Sequence, residues 1–328
     1  MLIKLLSSFA FLTGLATVVW AQTPAAKSWT APLAQDGHPD LEGNWINRSA
    51  TPLERPKEFE GRPTLTDDEV AGLKKRADRI FAGGRSDDAL GDSFFQVVLA
   101  NPDRFQSPSA TEDSLVVERE FDHRTSLITD PPDGKLPPYT DRGRQRRAER
   151  VAQATATQTV SRPQDLTLDQ RCLAYGVPRL GSIFNAPPYA FTQIIQTPAH
   201  LLYFWETGSA ARIIPLDGRP HLPSAIGTWE GDSRGRWEGA TLVVDTTNFS
   251  AKANFLGAGD DLHLTERFTR VAPDEIRYEV KVDAPKTWTK PWSAMVRLKR
   301  TDQKLYEFAC HEGNADIMET MLRGAQNK

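Results

Sequence analysis

The tightest constraint on the fold is the alternation at residues 241–247. Leu242, Val244 and Thr246 share one face of an extended segment, and Val243, Asp245 and Thr247 share the other. A β-branched run of period two is a strand with one face turned to a core. It sits inside GTWEGDSRGRWEGATLVVDTTNFS, residues 227–250, where tryptophan, glycine and β-branched residues crowd together. Trp229-Glu230-Gly231 and Trp237-Glu238-Gly239 flank Asp232-Ser233-Arg234-Gly235. That arrangement predicts a turn at 232–235 with the two tryptophans as a cross-strand pair. Asp245, beside valine on its face, points either to water or into a cavity.

The alternation recurs downstream. Residues 189–196, 201–207, 211–216, 263–271, 275–283, 293–300 and 304–310 read as strands, with Asp217-Gly218 predicting a hairpin. Turn signals at intervals of roughly 8–12 residues mark an antiparallel barrel or sandwich. Upstream, 40–46 reads as a first strand, whose Gly43-x-Trp45 is similar to the opening of lipocalin-type barrels. Residues 64–82 predict a helix: Thr66 and Glu69 form a capping box, Leu65 and Val70 a hydrophobic staple, and Gly83-Gly84 the stop. Residues 89–108 fit either a short helix or a buried connection. Residues 114–120 and 124–129 resemble strands, and a short helix begins near Asn314. The expected class is mainly β, an antiparallel barrel or sandwich of lipocalin or calycin type. An irregular, partly helical N-terminal extension and a short C-terminal helix complete it.

Lys4, the apolar run 5–19 and the close at Ala21 read as a secretory signal cleaved after Ala21. The run is too short for a membrane span, so the mature chain is expected to carry no transmembrane segment and to be periplasmic or secreted. The division expected is a signal peptide at 1–21, a flexible leader at 22–39 and one β-rich domain at 40–328. Within it, 40–160 holds the extension and 161–312 the strand-rich body; a split into two domains near 160 is the alternative. Two cysteines in an exported chain predict a Cys172–Cys310 disulfide, with two free thiols as the alternative. A net charge of −3 gives no reason to expect a nucleic-acid partner.

Three long stretches resemble a large family of exported bacterial proteins with no established reaction. They are FDHRTSLITDPPDGKLPP (121–138), TWEGDSRGRWEGATLVVDTTNF (228–249) and the region 262–292. The resemblance implies a periplasmic or cell-surface protein with a lipocalin-like, β-rich body, and it transfers no catalytic residue. Members of that family often carry Asp where this chain has Ala240.

No nucleophile elbow, zinc-protease helix motif or phosphate loop is present, and Gly257-Ala258-Gly259 lacks the third glycine of a dinucleotide site, so no cofactor is assigned. Candidate residues are instead polar groups on strands. Glu206 is in line with Leu202 and Phe204; inside a barrel, desolvation would raise its pKa and prepare it as an acid or base. Arg212, across Gly208, is placed to pair with Glu206. His221 follows the 217–220 turn, and His263 shares a face with Arg267 while Glu266 shares one with Leu264. His221, His263 and His311 meeting at one rim would make a zinc site, but they lack ligand spacing, so no metal is assigned.

Tyr203, Trp205, Trp229, Trp237, Tyr278 and Trp292 would line the mouth of a barrel with room for one small ligand. Arg212, His263 and Glu266 complete the expected ligand contacts. The leading expectation is a small-molecule-binding barrel for an apolar or aromatic ligand. The first alternative is a hydrolase or lyase using Glu206 or Asp245 with a rim histidine, His221 being the one assigned. The second is an envelope surface-interaction protein working through Arg142, Arg144, Arg146, Arg147 and Arg150, a basic face on a helix running to about Ala156.

Overall fold

The structure, a computed structural model, describes residues 29–81, 92–103, 119–154, 162–180, 190–209, 211–253, 255–312, 314, 318 and 319. The signal segment, Gly83-Gly84, residues 114–118 and Ile317, Met321 and Leu322 of the expected C-terminal helix lie outside them. No described helix is long and apolar enough to cross a membrane.

Ten strands form one antiparallel sheet. They are β1 (Gly43–Asn47), β2 (Ile128–Asp130), β3 (Phe191–Gln196), β4 (His200–Trp205), β5 (Ala211–Pro215), β6 (Asp232–Glu238), β7 (Thr241–Thr247), β8 (His263–Ala272), β9 (Glu275–Asp283) and β10 (Trp292–Arg300). The order is β5-β4-β3-β1-β10-β9-β8-β7-β6, with β2 paired beside β10. The sheet curls into a nearly closed barrel, and its first and last strands meet through side chains. Arg212 Nε on β5 donates to Ser233 Oγ on β6 at 2.8 Å. Gly235 allows the approach, because a Cβ there would stand 2.5 Å from Leu216 and 3.0 Å from Ile214.

Period-two patterning builds the core. Leu242 and Val244 of β7, Leu264 and Phe268 of β8, and Ile276 and Val280 of β9 point inward and are buried. The helices follow the same logic at the period of 3.6. In α1 (Asp67–Ile80), Leu73, Ala77 and Ile80 pack on Phe94, Phe95 and Val98 of α2 (Asp92–Ala100). The capping box forms as the sequence predicts: Glu69 N donates to Thr66 Oγ1 at 3.3 Å and Thr66 N donates to Glu69 Oε2 at 2.9 Å. Residues 92–100 resolve the ambiguous stretch as helix. The basic segment is α3 (Asp141–Ala154), which Gly143 brings against Thr287; a Cβ at 143 would stand 2.3 Å from the Thr287 carbonyl oxygen.

Four expectations are corrected. Residues 232–235 belong to β6, and the turn lies at Gly239-Ala240, where Gly239 has φ +60° and Ala240 is exposed. Pairing Gly235 with Val244 and Glu238 with Thr241 buries the alternating face of β7, and that gain outweighs local turn preference. Trp229 and Trp237 therefore do not pair. Asp217-Gly218 closes no hairpin either; β5 and β6 lie at opposite ends of the strand order, and residues 216–231 cross between them. Residues 304–309 are not a strand, since β10 is already laddered to β9, β1 and β2. They run as a strap over the outer wall, with Leu305 packed on Ile46 and Phe191. A helical turn follows at 310–312. Finally, the later part of the supposed leader is an ordered plug: His38 stacks on Trp237 at 4.8 Å, and Gln196 Nε2 donates to Asp36 at 3.0 Å. That plug lies across one end of the barrel. The other end is covered by α3, residues 162–180 and residues 249–262.

The predicted disulfide joins Cys172 to Cys310 across 138 residues of chain, tying the strap to the turns at that second end.

Candidate functional site

Strands β6, β7 and β8 carry polar side chains on both faces. Inside the barrel, the guanidinium of Arg212 donates to Glu266 Oε1 at 2.9 Å and to Glu266 Oε2, and also to Thr246 Oγ1 at 2.5 Å. Tyr278 donates its hydroxyl to Glu266 Oε1 at 2.8 Å. Arg212 is 5 % and Glu266 1 % exposed. Burial opposes the charge on Arg212, yet the Glu266 carboxylate outweighs it and raises the guanidinium pKa. Burial pushes the Tyr203 hydroxyl up to about 12 and Tyr278 well above its ordinary value, so both phenols stay neutral. Arg212 thus pairs with Glu266 and not with Glu206, which corrects the expected partner. The alternation already put Glu266 on the face of Leu264, and in β5 Arg212 and Ile214 share the buried face; only the closure of the sheet brings the two charges together.

On the outer wall, the crossing segment 216–231 lays His221 over β6 and β7. His221 Nδ1 lies 2.9 Å from Asp232 Oδ2, and its Nε2 lies 2.9 Å from Asp245 Oδ1. The second oxygen of Asp245 lies 2.7 Å from His263 Nε2. Asp232 further accepts from Leu222 N at 2.9 Å and from Arg234 at 2.6 Å. Burial acts to raise the Asp232 pKa, but these donors together hold it below the usual aspartate range. Asp245 therefore faces outward, and His221, Asp245 and His263 form one hydrogen-bonded chain. His311 takes no described part in it. Among the described residues no group of three or more His, Cys, Asp or Glu is placed to hold a metal ion, so the three-histidine site does not form.

Glu206 stands apart from both systems. It is 5 % exposed beneath the strap, where burial raises its carboxyl pKa against a small opposing effect of the Tyr306 backbone N–H. Of the two carboxylates expected to serve a rim histidine, Asp245 lies within hydrogen-bond distance of His221, and Glu206 has no described contact with it.

The aromatic lining also separates. Tyr203, Trp205, Tyr278 and Trp292 are packed into the core, with Tyr203 against Trp205 at 4.6 Å and Phe268 against Tyr278 at 4.8 Å. Trp237 is held by His38 at the plugged end. Trp229 alone of the six is exposed, at 41 %.

It stands at the end opposite the plug, where two hollows adjoin. The larger, about 250 Å³, lies between Arg146 and Arg150 of α3, Leu166, Arg171 and Lys252. The smaller, about 40 Å³, runs on past the shared Arg150 and Lys252 to Tyr175 and Trp229. Two of these cations are fixed in place: Arg146 donates to the Ala251 carbonyl at 3.0 Å and pairs with Asp260, and Arg150 pairs with Asp169. The rest of the basic helix is equally engaged, Arg142 with Asp260, Arg144 with Asp141 and Arg147 with the Tyr139 hydroxyl. Arg142 and Arg146 tie α3 to the 251–260 connection and Arg150 ties it to the 162–180 turns, while the contacts of Arg144 and Arg147 are local to the helix start. No motif marks Arg171 or Lys252 in the sequence; folding alone brings them to one rim.

No family model matches the chain. No curated protein is found as a relative. Among solved structures, a secretary abundant heat soluble (SAHS) protein from Ramazzottius varieornatus is similar at 12 % identity, over 34 % of this chain and 70 % of that one, with a TM-score of 0.24.

Proposed function

We propose that this chain is an exported small-molecule-binding barrel whose ligand sits at the end opposite the plug, with an apolar or aromatic part against Trp229 and Tyr175. One observation carries the proposal: an exposed tryptophan and a tyrosine close off a hollow that continues into a second, larger one. Ligand sites are concave and combine apolar walls with a few placed polar groups, and this end offers both. The apolar run at the N-terminus and the disulfide support an exported protein. Titration of the mature protein with a panel of small aromatic compounds, followed by tryptophan fluorescence, tests the site. Saturable quenching is expected, and Trp229→Leu removes it. Quenching that survives Trp229→Leu places the ligand elsewhere.

A second reading, an acid–base enzyme of the hydrolase or lyase type, has one observation in its favour. Asp245 bonds both His221 and His263 on a partly exposed wall, so an imidazole oriented by a carboxylate is ready to move a proton. Turnover lost in both Asp245→Asn and His263→Gln, with ligand binding at Trp229 unchanged, would favour the enzyme over the binding protein.

A further inference from the structure

We infer that the ligand is an organic anion, a carboxylate or phosphate carried on a flat aromatic body, with its head between Arg171 and Lys252 and its body on Trp229 and Tyr175. The inference rests on the binding site just proposed and names the chemistry that fills it.

Charge is the first argument. The chain has a net charge of −3, yet the larger hollow is lined by Arg146, Arg150, Arg171 and Lys252 against the single carboxylate of Glu149. Glu149 already accepts from Gln145 at 2.9 Å. Arg146 and Arg150 are engaged with Asp260 and Asp169, whereas the side chains of Arg171 and Lys252 have no described partner. A rim with two cations beyond those its own carboxylates engage favours an anion.

Shape is the second argument. Trp229 and Tyr175 line the smaller hollow and Arg171 the larger, and Lys252 lines both. A small inorganic anion would leave Trp229 in water, and a neutral arene would leave Arg171 and Lys252 unanswered. A molecule with a charged head and a flat apolar tail meets both demands. Guanidinium and ammonium donors make charge-assisted bonds to carboxylate or phosphate oxygens. Aromatic faces supply the apolar contact.

The test uses the mature protein and four probes: 2-naphthoate, 2-naphthyl phosphate, neutral 2-naphthamide and inorganic phosphate. The expected result is saturable tryptophan quenching by either naphthyl anion, with naphthamide at least about tenfold weaker and inorganic phosphate giving no response. Arg171→Gln and Lys252→Gln each weaken naphthoate about tenfold and leave naphthamide unchanged, and raised salt weakens only the anions. Naphthamide binding as tightly as naphthoate, with both lost in Trp229→Leu, would overturn the anion inference and leave the site standing. No response to any probe would overturn both.

Discussion

The two faces of β6, β7 and β8 bear polar systems built from alternate residues of the same strands, and they differ in what water does to them. Ser233, Thr246 and Glu266 point inward to Arg212, where the charge pair is nearly dry. Asp232, Asp245 and His263 point outward to the crossing segment, where the Asp245 side chain is 30 % and that of His263 46 % exposed. Inside, each charge depends on its partner, because no solvent replaces a lost bond. Outside, water and salt stand ready to substitute, so similar hydrogen-bond distances carry much less free energy. One step along a strand changes the consequence of a polar side chain more than its chemical type does.

The largest test of that contrast is Glu266→Leu. It strands the Arg212 charge and is expected to cost about 3–5 kcal/mol, read from urea denaturation. Arg212→Met combined with Glu266→Leu should recover most of the loss; a double variant as unstable as the single one would show that packing, not the charge, was at stake. Tyr278→Phe removes one donor from Glu266 and should cost about 1–3 kcal/mol. On the outer wall, Asp245→Asn should cost only about 0.2–1 kcal/mol and less still in high salt. A loss matching that of Glu266→Leu would abolish the distinction between the faces.

The smallest effects are in pH dependence, and they run in opposite directions. Asp232 titrates below its ordinary value, so its contribution is complete above about pH 4 and falls away as the pH drops through the lowered value. Glu206 titrates above its ordinary value, so its contribution is complete below about pH 4 and is lost as the pH rises through the raised one. Glu206→Gln should therefore raise the denaturation midpoint at pH 7 and leave it unchanged at pH 3. Asp232→Asn should lower the midpoint at pH 7 and do little at pH 3.

Much of this architecture was legible before any coordinates. Alternation in 241–247 sorted the residues of β7 onto two faces, because a strand has only two, and the run 275–283 was readable as the strand β9. The capping box of α1 was readable because it is local, four residues long. The turn at Gly239-Ala240 was misplaced because Asp232-Ser233-Arg234-Gly235 is as good a turn sequence, and only cross-strand burial decides between them. Asp245 and His221 were singled out, yet Asp232 as their neighbour was not, since a long crossing connection carries no register. The pairing of Arg212 with Glu266 spans 54 residues and depends on the last strand meeting the first, which no local pattern encodes. Arg171 and Lys252 were invisible for the same reason.

A barrel joined along one line by side chains has a further property. Among the described residues no backbone ladder runs between β5 and β6, so each presents a rim of peptide groups that a stranger's strand is able to add to. Both rims are short, five and seven residues, and one of them turns a charged guanidinium toward the interior, two devices that discourage such addition. The guanidinium that answers Glu266 in the core is thus also the inward charge on one of these rims.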